Sequence, residues 1–396
     1  MFHFGSNSIK TTSFVTHSFC MLQLHVLMAK VLETMKSFDG LLTDALFNRI
    51  KEKTVKQMKN FYYSQPYSHA GQATDIILGP VRYQAHERVE AMVGVEIDDL
   101  RVFAAKVLKR TNVEMLVHGN ATEEEAKRFL DVIVSSVNPK PLYPSTAPNF
   151  RVARLPRGVD YVYCFKCYND QEANSCCQDI FQLETDTVAS AASSYFLAHL
   201  INEPCFDILR TKETLGYIVF SGRKSCEQIL NIHFIVQGDA NPPDYLSSRI
   251  EAFLLTFRSK LEEMPDKEFL ENREAVMEKL LEKDKNLSEE SYRYFSQIQK
   301  GLYVFDKAKK MAEAVEKLSK ADVLDLFDNY LAKGAPCRSK VSTRVFGKDV
   351  AMPIVEEGSE DEEGGGGVVI KELSEFKRGV DLWPLVQSPD LEQFEK

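Results

Sequence analysis

No run of about 18 apolar residues occurs anywhere in this 396-residue chain, which excludes a membrane-spanning helix of ordinary length. Positive charge is also short. Lys and Arg number 49 against 58 Asp and Glu, a formal net charge of -9, which argues against a nucleic-acid partner because such binders present a basic face. Cysteine is sparse, with eight residues at 20, 164, 167, 176, 177, 205, 226 and 337. Their spacing has no repeated loop pattern, so a disulfide framework is excluded and reduced thiols in a cytoplasmic compartment are expected. From Met1 to Val31 there is no acidic residue, and Ser and Thr are frequent, as in organellar targeting segments. Arginine is missing there as well. Thr16, His17, Ser18, Gln23 and His25 break the apolar stretch from Phe14 to Met28, so residues 1–22 are expected to be an irregular start.

What is present is ordinary for a globular protein: 44% hydrophobic and 27% charged residues, in a chain long enough for two domains. A faint internal repeat organises it. Thr43 to Phe47 opens one amphipathic helical pattern, and Asp266 to Leu270 opens another. Asp99 to Leu108 resembles Asp322 to Leu331 at an offset of 223 residues. Each copy continues into a short strand, Val113 to Val117 in the first and Lys340 to Phe346 in the second, an α+β pattern. After the first strand comes the turn His118-Gly119-Asn120. Thr122 and Glu125 then fit a capping box, and Ala126, Phe129, Leu130 and Ile133 form the expected buried stripe. The second copy begins with about 110 further residues, from Arg151 to Pro265, that read as strands and helix. The first copy is short of roughly 70 such residues, so its helices are expected to lack a full sheet and to expose apolar faces.

The expected division is therefore 1–22, a truncated and mostly helical module at 23–137, a Pro-rich linker at 138–150, and a complete module at 151–396. The last carries an acidic, Gly-rich run at 356–367 that reads as a disordered surface loop, then strand character at Val368 to Leu373 and an apolar anchor, Asp381 to Val386.

Chemistry-bearing motifs are few. Zinc peptidases place two histidines and a glutamate on one helix as H-E-x-x-H or H-x-x-E-H, and none of the eight histidines satisfies either. The nearest miss, His86-Glu87-Arg88-Val89-Glu90, reads as helix surface charge. Cys164 and Cys167, with Cys176 and Cys177, invite a metal or redox reading. Strand alternation points such pairs apart, and small apolar packing residues are the expectation. Nucleophile elbows, P-loops and dinucleotide fingerprints are absent.

One segment stands apart: Asn202 to Gly222, NEPCFDILRTKETLGYIVFSG. Its first part reads as helix from Phe196 to Lys212, Gly216 as a stop, and Tyr217 to Ser221 as strand, a corner that can aim a guanidinium and a phenol at one place. The segment resembles the last domain of insulysin-type (pitrilysin-like) zinc metallopeptidases almost residue for residue. Pro242 to Leu246, Ser248 to Phe253, Ser64-Gln65-Pro66, Leu116 to Asn120, and Phe376 to Gly379 with Trp383 to Val386 extend the likeness over roughly residues 24–386.

The resemblance implies tandem α/β-roll domains, antiparallel-rich sheets packed by helices, with the first domain truncated. It also implies a function: the C-terminal, substrate-binding half of a peptide-degrading zinc endopeptidase, inactive alone because H-x-x-E-H is missing. On this resemblance Arg210 and Tyr217 are the substrate and transition-state contacts, and no metal is bound by this chain, zinc being expected only in an N-terminal half. The implied partners are peptide substrates and a zinc-bearing half or full-length homologue, with neither nucleic acid nor membrane. The alternative is a non-catalytic peptide-binding or regulatory partner of a full-length relative. A third possibility is a longer protein carrying H-x-x-E-H upstream.

Overall fold

The computed structural model describes residues 2–6, 9–14, 21–80, 82–107, 109–143, 150–353 and 367–384, with side chains from residue 24 onward. The acidic run at 356–366, linker residues 144–149 and anchor residues 385–386 lie outside the described residues. The chain forms two compact units, each assembled from separated stretches: residues 1–59, 85–149 and 284–305 in one, and 60–84, 150–283 and 306–396 in the other. Residues 60–84 thus pack with the later module and 284–305 with the earlier one, an exchange that the linear repeat did not reveal.

The first unit carries a three-stranded antiparallel sheet of β1 (Phe2–Ser6), β2 (Ile9–Phe14) and β3 (Asn112–Met115), ordered β2-β1-β3. Within the start expected to be irregular, residues 2–6 and 9–14 are therefore paired antiparallel strands. Their Ile, Thr and Phe content favours strand, and β3 supplies the pairing edge. Around it are α1 (Met21–Lys36), α2 (Phe38–Leu41), α3 (Asp44–Asn60), α5 (Ala85–Gly94), α6 (Ile97–Val107), α7 (Glu123–Val137) and α11 (Leu287–Gln299). The capping box at the start of α7 forms as the sequence implies. Thr122 Oγ1 accepts from the Glu125 N–H at 3.2 Å, and Glu125 Oε2 accepts from the Thr122 N–H at 2.8 Å.

Met28 and Leu32 of α1 pack on Phe129, Ile133 and Val137 of α7. The expected stripe is corrected at Leu130, which is exposed. Val134, and Val26, Leu27 and Val31 on α1, are exposed too. The facing stripes of α1 and α7 cover one another only along this seam, and their apolar flanks extend beyond it.

The second unit is built on a six-stranded sheet: β4 (Val159–Lys166), β5 (Ser175–Thr185), β6 (Ile218–Cys226), β7 (Ile229–Gly238), β8 (Ser339–Phe346) and β9 (Val368–Ile370), ordered β6-β7-β5-β8-β4-β9. The first three pairings are antiparallel, and β8-β4 and β4-β9 are parallel. One face is covered by α8 (Val188–Cys205), α9 (Pro243–Glu263), α10 (Asp266–Leu281), α12 (Lys307–Val315) and α13 (Lys320–Tyr330). Its core is a string of rings: Phe181 on Phe234, Phe234 on Phe253, Phe253 on Phe257 and Phe257 on Phe327, with centroids 5.7–6.2 Å apart. Each buried ring contributes on the order of 2–3 kcal/mol through area removed from water. The other face is covered by α4 (Pro66–Leu78) and α14 (Leu373–Gly379). Thr74 reaches Thr343 of β8 at 2.9 Å, and Lys377 caps the end of α4 through the Gly79 and Pro80 carbonyls.

Because both faces are covered, the polar residues of β8 are buried. Lys340 Nζ lies 2.8 Å from Asp179 Oδ2 and 2.6 Å from Glu251, and Arg338 Nη2 lies 2.7 Å from both Glu251 and Asp160. Burial alone would push the Asp179 and Glu251 carboxyls up; the Lys340 charge overcomes it, helped at Glu251 by Arg338, and holds both below the usual range.

Candidate functional site

The site expected from the sequence begins in the last turn of α8. Pro204 sits inside that helix and has no N–H to give, which interrupts the α-helical ladder. The chain goes on as a π-helical turn, Phe206–Lys212, closed by the Glu213 N–H on the Ile208 carbonyl at 2.9 Å. Phe206 and Arg210, four residues apart, lie on one face of this turn. The Arg210 guanidinium carbon lies 4.7 Å from the Phe206 ring centre and 4.7 Å from that of Tyr217. Tyr217 is 79% exposed, so its hydroxyl is free to meet a ligand. The structure therefore brings both sequence-predicted residues together as one cation–aromatic stack.

The corner between them is tight. Thr214 takes φ 51°, and the Leu215 N–H bonds the Leu209 carbonyl at 3.1 Å. A Cβ on Gly216 would stand 1.9 Å from the Gln237 oxygen, and one on Gly238 would stand 2.4 Å from the Leu215 oxygen. Only paired glycines let the corner lie against the end of β7. Glu213 grips Arg249 of α9 through two 2.7 Å bonds. That clamp and the π-turn escaped the sequence reading, although Arg249 lies inside one of the quoted matching runs.

Chemically, the stack offers donors. A guanidinium is a fixed cation and a phenol can give a proton to an oxyanion; with Glu213 engaged by Arg249, the corner supplies no free general base. A cavity of about 610 Å³ opens beside the same helix, and His199, Glu203, Asp207, Arg223, Lys260 and Lys279 are among its lining. Its charges of both signs nearly balance, so it selects no ligand charge.

Elsewhere, the described residues include no cluster of three or more His, Cys, Asp or Glu placed to hold a metal ion. His86 and Glu90 lie exposed on α5. Cys176 and Cys177, adjacent on β5, enter different cores, and Cys167 joins Cys176 beside α4. Burial pushes their thiols up, which makes them inert packing groups as expected.

Comparison with known proteins decides the family. Residues 22–91 match the model for the middle or third domain of peptidase M16, and residues 196–295 match the C-terminal lobe domain 4 of PQQ synthase PqqF-like proteins. Insulin-degrading enzyme of Homo sapiens is 33% identical over 378 residues, 91% of this chain and 36% of that protein. The chain belongs to the insulysin–pitrilysin (M16) peptidase family. The A-factor-processing enzyme of Saccharomyces cerevisiae is 33% identical over 78% of the chain and 30% of its own length. Insulin-degrading enzyme-like 1, peroxisomal, of Arabidopsis thaliana is 30% identical over 85% and 35%. Crystalline pitrilysin shares the fold with a TM-score of 0.75 at 18% identity, over 91% of this chain and 37% of its own. The chain thus spans about a third of the length of the M16 relatives it matches. No helix among the described residues is long and apolar enough to cross a membrane.

Proposed function

We propose that this chain is the peptide-holding part of an M16 zinc endopeptidase, with Arg210 and Tyr217 reaching the scissile bond of a bound peptide. The observation that carries the reading is the Arg210–Tyr217 stack, solvent-facing and rigidly cornered, in a segment that matches the family. Arg210 would hold a substrate carbonyl, and the Tyr217 hydroxyl would donate to the oxygen that becomes negative in the tetrahedral intermediate. The residues present do not fit a zinc ion, since the sequence contains neither H-E-x-x-H nor H-x-x-E-H. Zinc-activated water would come from a zinc-bearing half, and the chain alone would bind peptides without cutting them. Within this reading the chain works in the cytoplasm, and its modules at 23–137 and 151–396 stand for the third and fourth family domains.

The test is cleavage of a fluorogenic peptide by the purified chain, with and without a separately expressed zinc-bearing N-terminal half of an M16 relative. Activity is expected only on mixing, with Arg210→Ala and Tyr217→Phe each lowering turnover about 10²-fold while leaving the fold intact. Unchanged turnover in both variants would remove the assigned roles. Chelator-sensitive cleavage by the chain alone would overturn the view that it lacks a metal centre.

A further inference from the structure

Arg210 and Tyr217 lie on opposite sides of the corner, three residues before Glu213 and four after it. Their 4.7 Å stacking distance is therefore set by the corner's angle. Besides the backbone contacts of the corner itself, two ion pairs bear on that angle. The Lys212–Asp207 pair is local, and its side chains are 67% and 47% exposed, a setting in which ion pairs contribute little. The Glu213–Arg249 pair is different. It is bidentate, partly buried, and spans 36 residues of sequence to α9. Beside Arg249, α9 is anchored by Leu246, Ile250 and Phe253, all fully or almost fully buried. Thr214 next to the clamp holds a left-handed backbone that non-glycine residues resist, so something outside the turn must over-determine it.

We infer that Glu213 and Arg249 are positioning residues, which transmit the rigidity of α9 to the corner and so set the Arg210–Tyr217 stack for peptide. The inference rests on the reading that this stack contacts the substrate. Neither Glu213 nor Arg249 needs to touch the peptide. Their effect is to keep two donors converged before it arrives, sparing the ordering cost at binding.

The experiment uses the full chain and fluorescein-labelled insulin B chain, with binding followed by anisotropy and backbone opening followed by amide hydrogen exchange. Glu213→Ala and Arg249→Ala are each expected to weaken binding about tenfold, the scale of one charge-assisted contact. Exchange should rise over residues 206–216 and stay unchanged in β7. Combined with Arg210→Ala, neither should weaken binding further, because the clamp acts only through the stack. The charge-exchanged pair E213R/R249E should recover most of the affinity. Losses that add to that of Arg210→Ala, or unchanged exchange over 206–216, would overturn the positioning role. Failure of the underlying reading looks different: Arg210→Ala and Tyr217→Phe would then bind peptide like the wild type, and the exchange data alone would decide whether the clamp sets the corner.

Discussion

Replacing Lys340 with methionine removes one cation from the buried network of the second unit while keeping most of its volume. Lys340 is 4% exposed and Asp179 is fully buried, so the variant leaves the Asp179 carboxylate with hydroxyl and thiol donors, Ser247 at 2.8 Å and Cys177 at 3.2 Å, and with Arg344 as a nearby charge in place of its paired cation. Breaking a buried pair in this way costs about 3–5 kcal/mol. At about 3 kcal/mol per molar urea, that lowers the unfolding midpoint by roughly 1–1.7 M. Trp383 packs in the core beneath the sheet and gives a fluorescence signal confined to this unit.

The pH dependence is more discriminating. In the wild type, Asp179 and Glu251 have depressed folded pKa values. Their contribution is present above the unfolded carboxylate range, about pH 4, and is lost as pH falls through the lower folded values. Without Lys340 the largest offset to burial is gone, and although Ser342 and Arg344 still favour the carboxylate, the folded pKa of Asp179 is expected to rise above the unfolded one. The penalty then operates at neutral pH and shrinks on acidification, by up to about 1.4 kcal/mol per pH unit. The gap between K340M and wild type should therefore narrow from pH 7 to pH 5, and adding Asp179→Asn should close most of it at both. A K340M variant within about 1 kcal/mol of wild type at pH 7, or a gap that widens with acid, would refute the reasoning.

Other predictions concern separate features. Burial, with Lys224 adding to it, lowers the His233 pKa to about 4, so NMR titration of this ring should give a midpoint near 4 and not the usual value. Its folded pKa being depressed, His233 contributes stability above about pH 6.5 that is lost as pH falls through about 4, about 3 kcal/mol in all, and His233→Gln should flatten that fall. Gly216→Ala, whose new methyl would meet the Gln237 oxygen, should cost about 2–4 kcal/mol in a urea titration; a neutral result would mean the corner is slack. The isolated chain should enhance the fluorescence of a hydrophobe-seeking dye through Val26, Leu27, Val31, Leu130 and Val134, and silence with a sharp melt would contradict the exposed flanks of the first unit.

Local signals carried much of this molecule into view. Thr122 and Glu125 marked the start of α7, and the repeat starting at Asp99 and Asp322 falls on α6 and α13, because capping and periodicity are written in neighbouring residues. The corner at Gly216 was equally legible, with Arg210 before it and Tyr217 after. What escaped depends on distant chain. Alternation in Ser339–Phe346 marks a strand, but whether its polar side meets water or Glu251 is set by α9. Leu130 looked buried because its helix has an apolar stripe, and the width of that stripe exceeds what α1 covers. Helix from Phe196 to Lys212 was legible with Pro204 inside it, but periodicity does not show that its last turn is π-helical.

The position of α4 bears on how the protein can be made. Its buried Ile76, Ile77 and Leu78 leave the ribosome well before the sheet they cover, and Thr74 waits 269 residues for its partner Thr343. During synthesis this helix has no finished surface to occupy, and slow closure of such distant contacts leaves its apolar side open to capture by other chains. The same arrangement sets where the protein can be cut. Residues 151–396 expressed alone would bring a complete sheet with one face covered by α14 but not by α4, so a soluble second unit requires residues 60–84, supplied in the same chain or as a separate peptide.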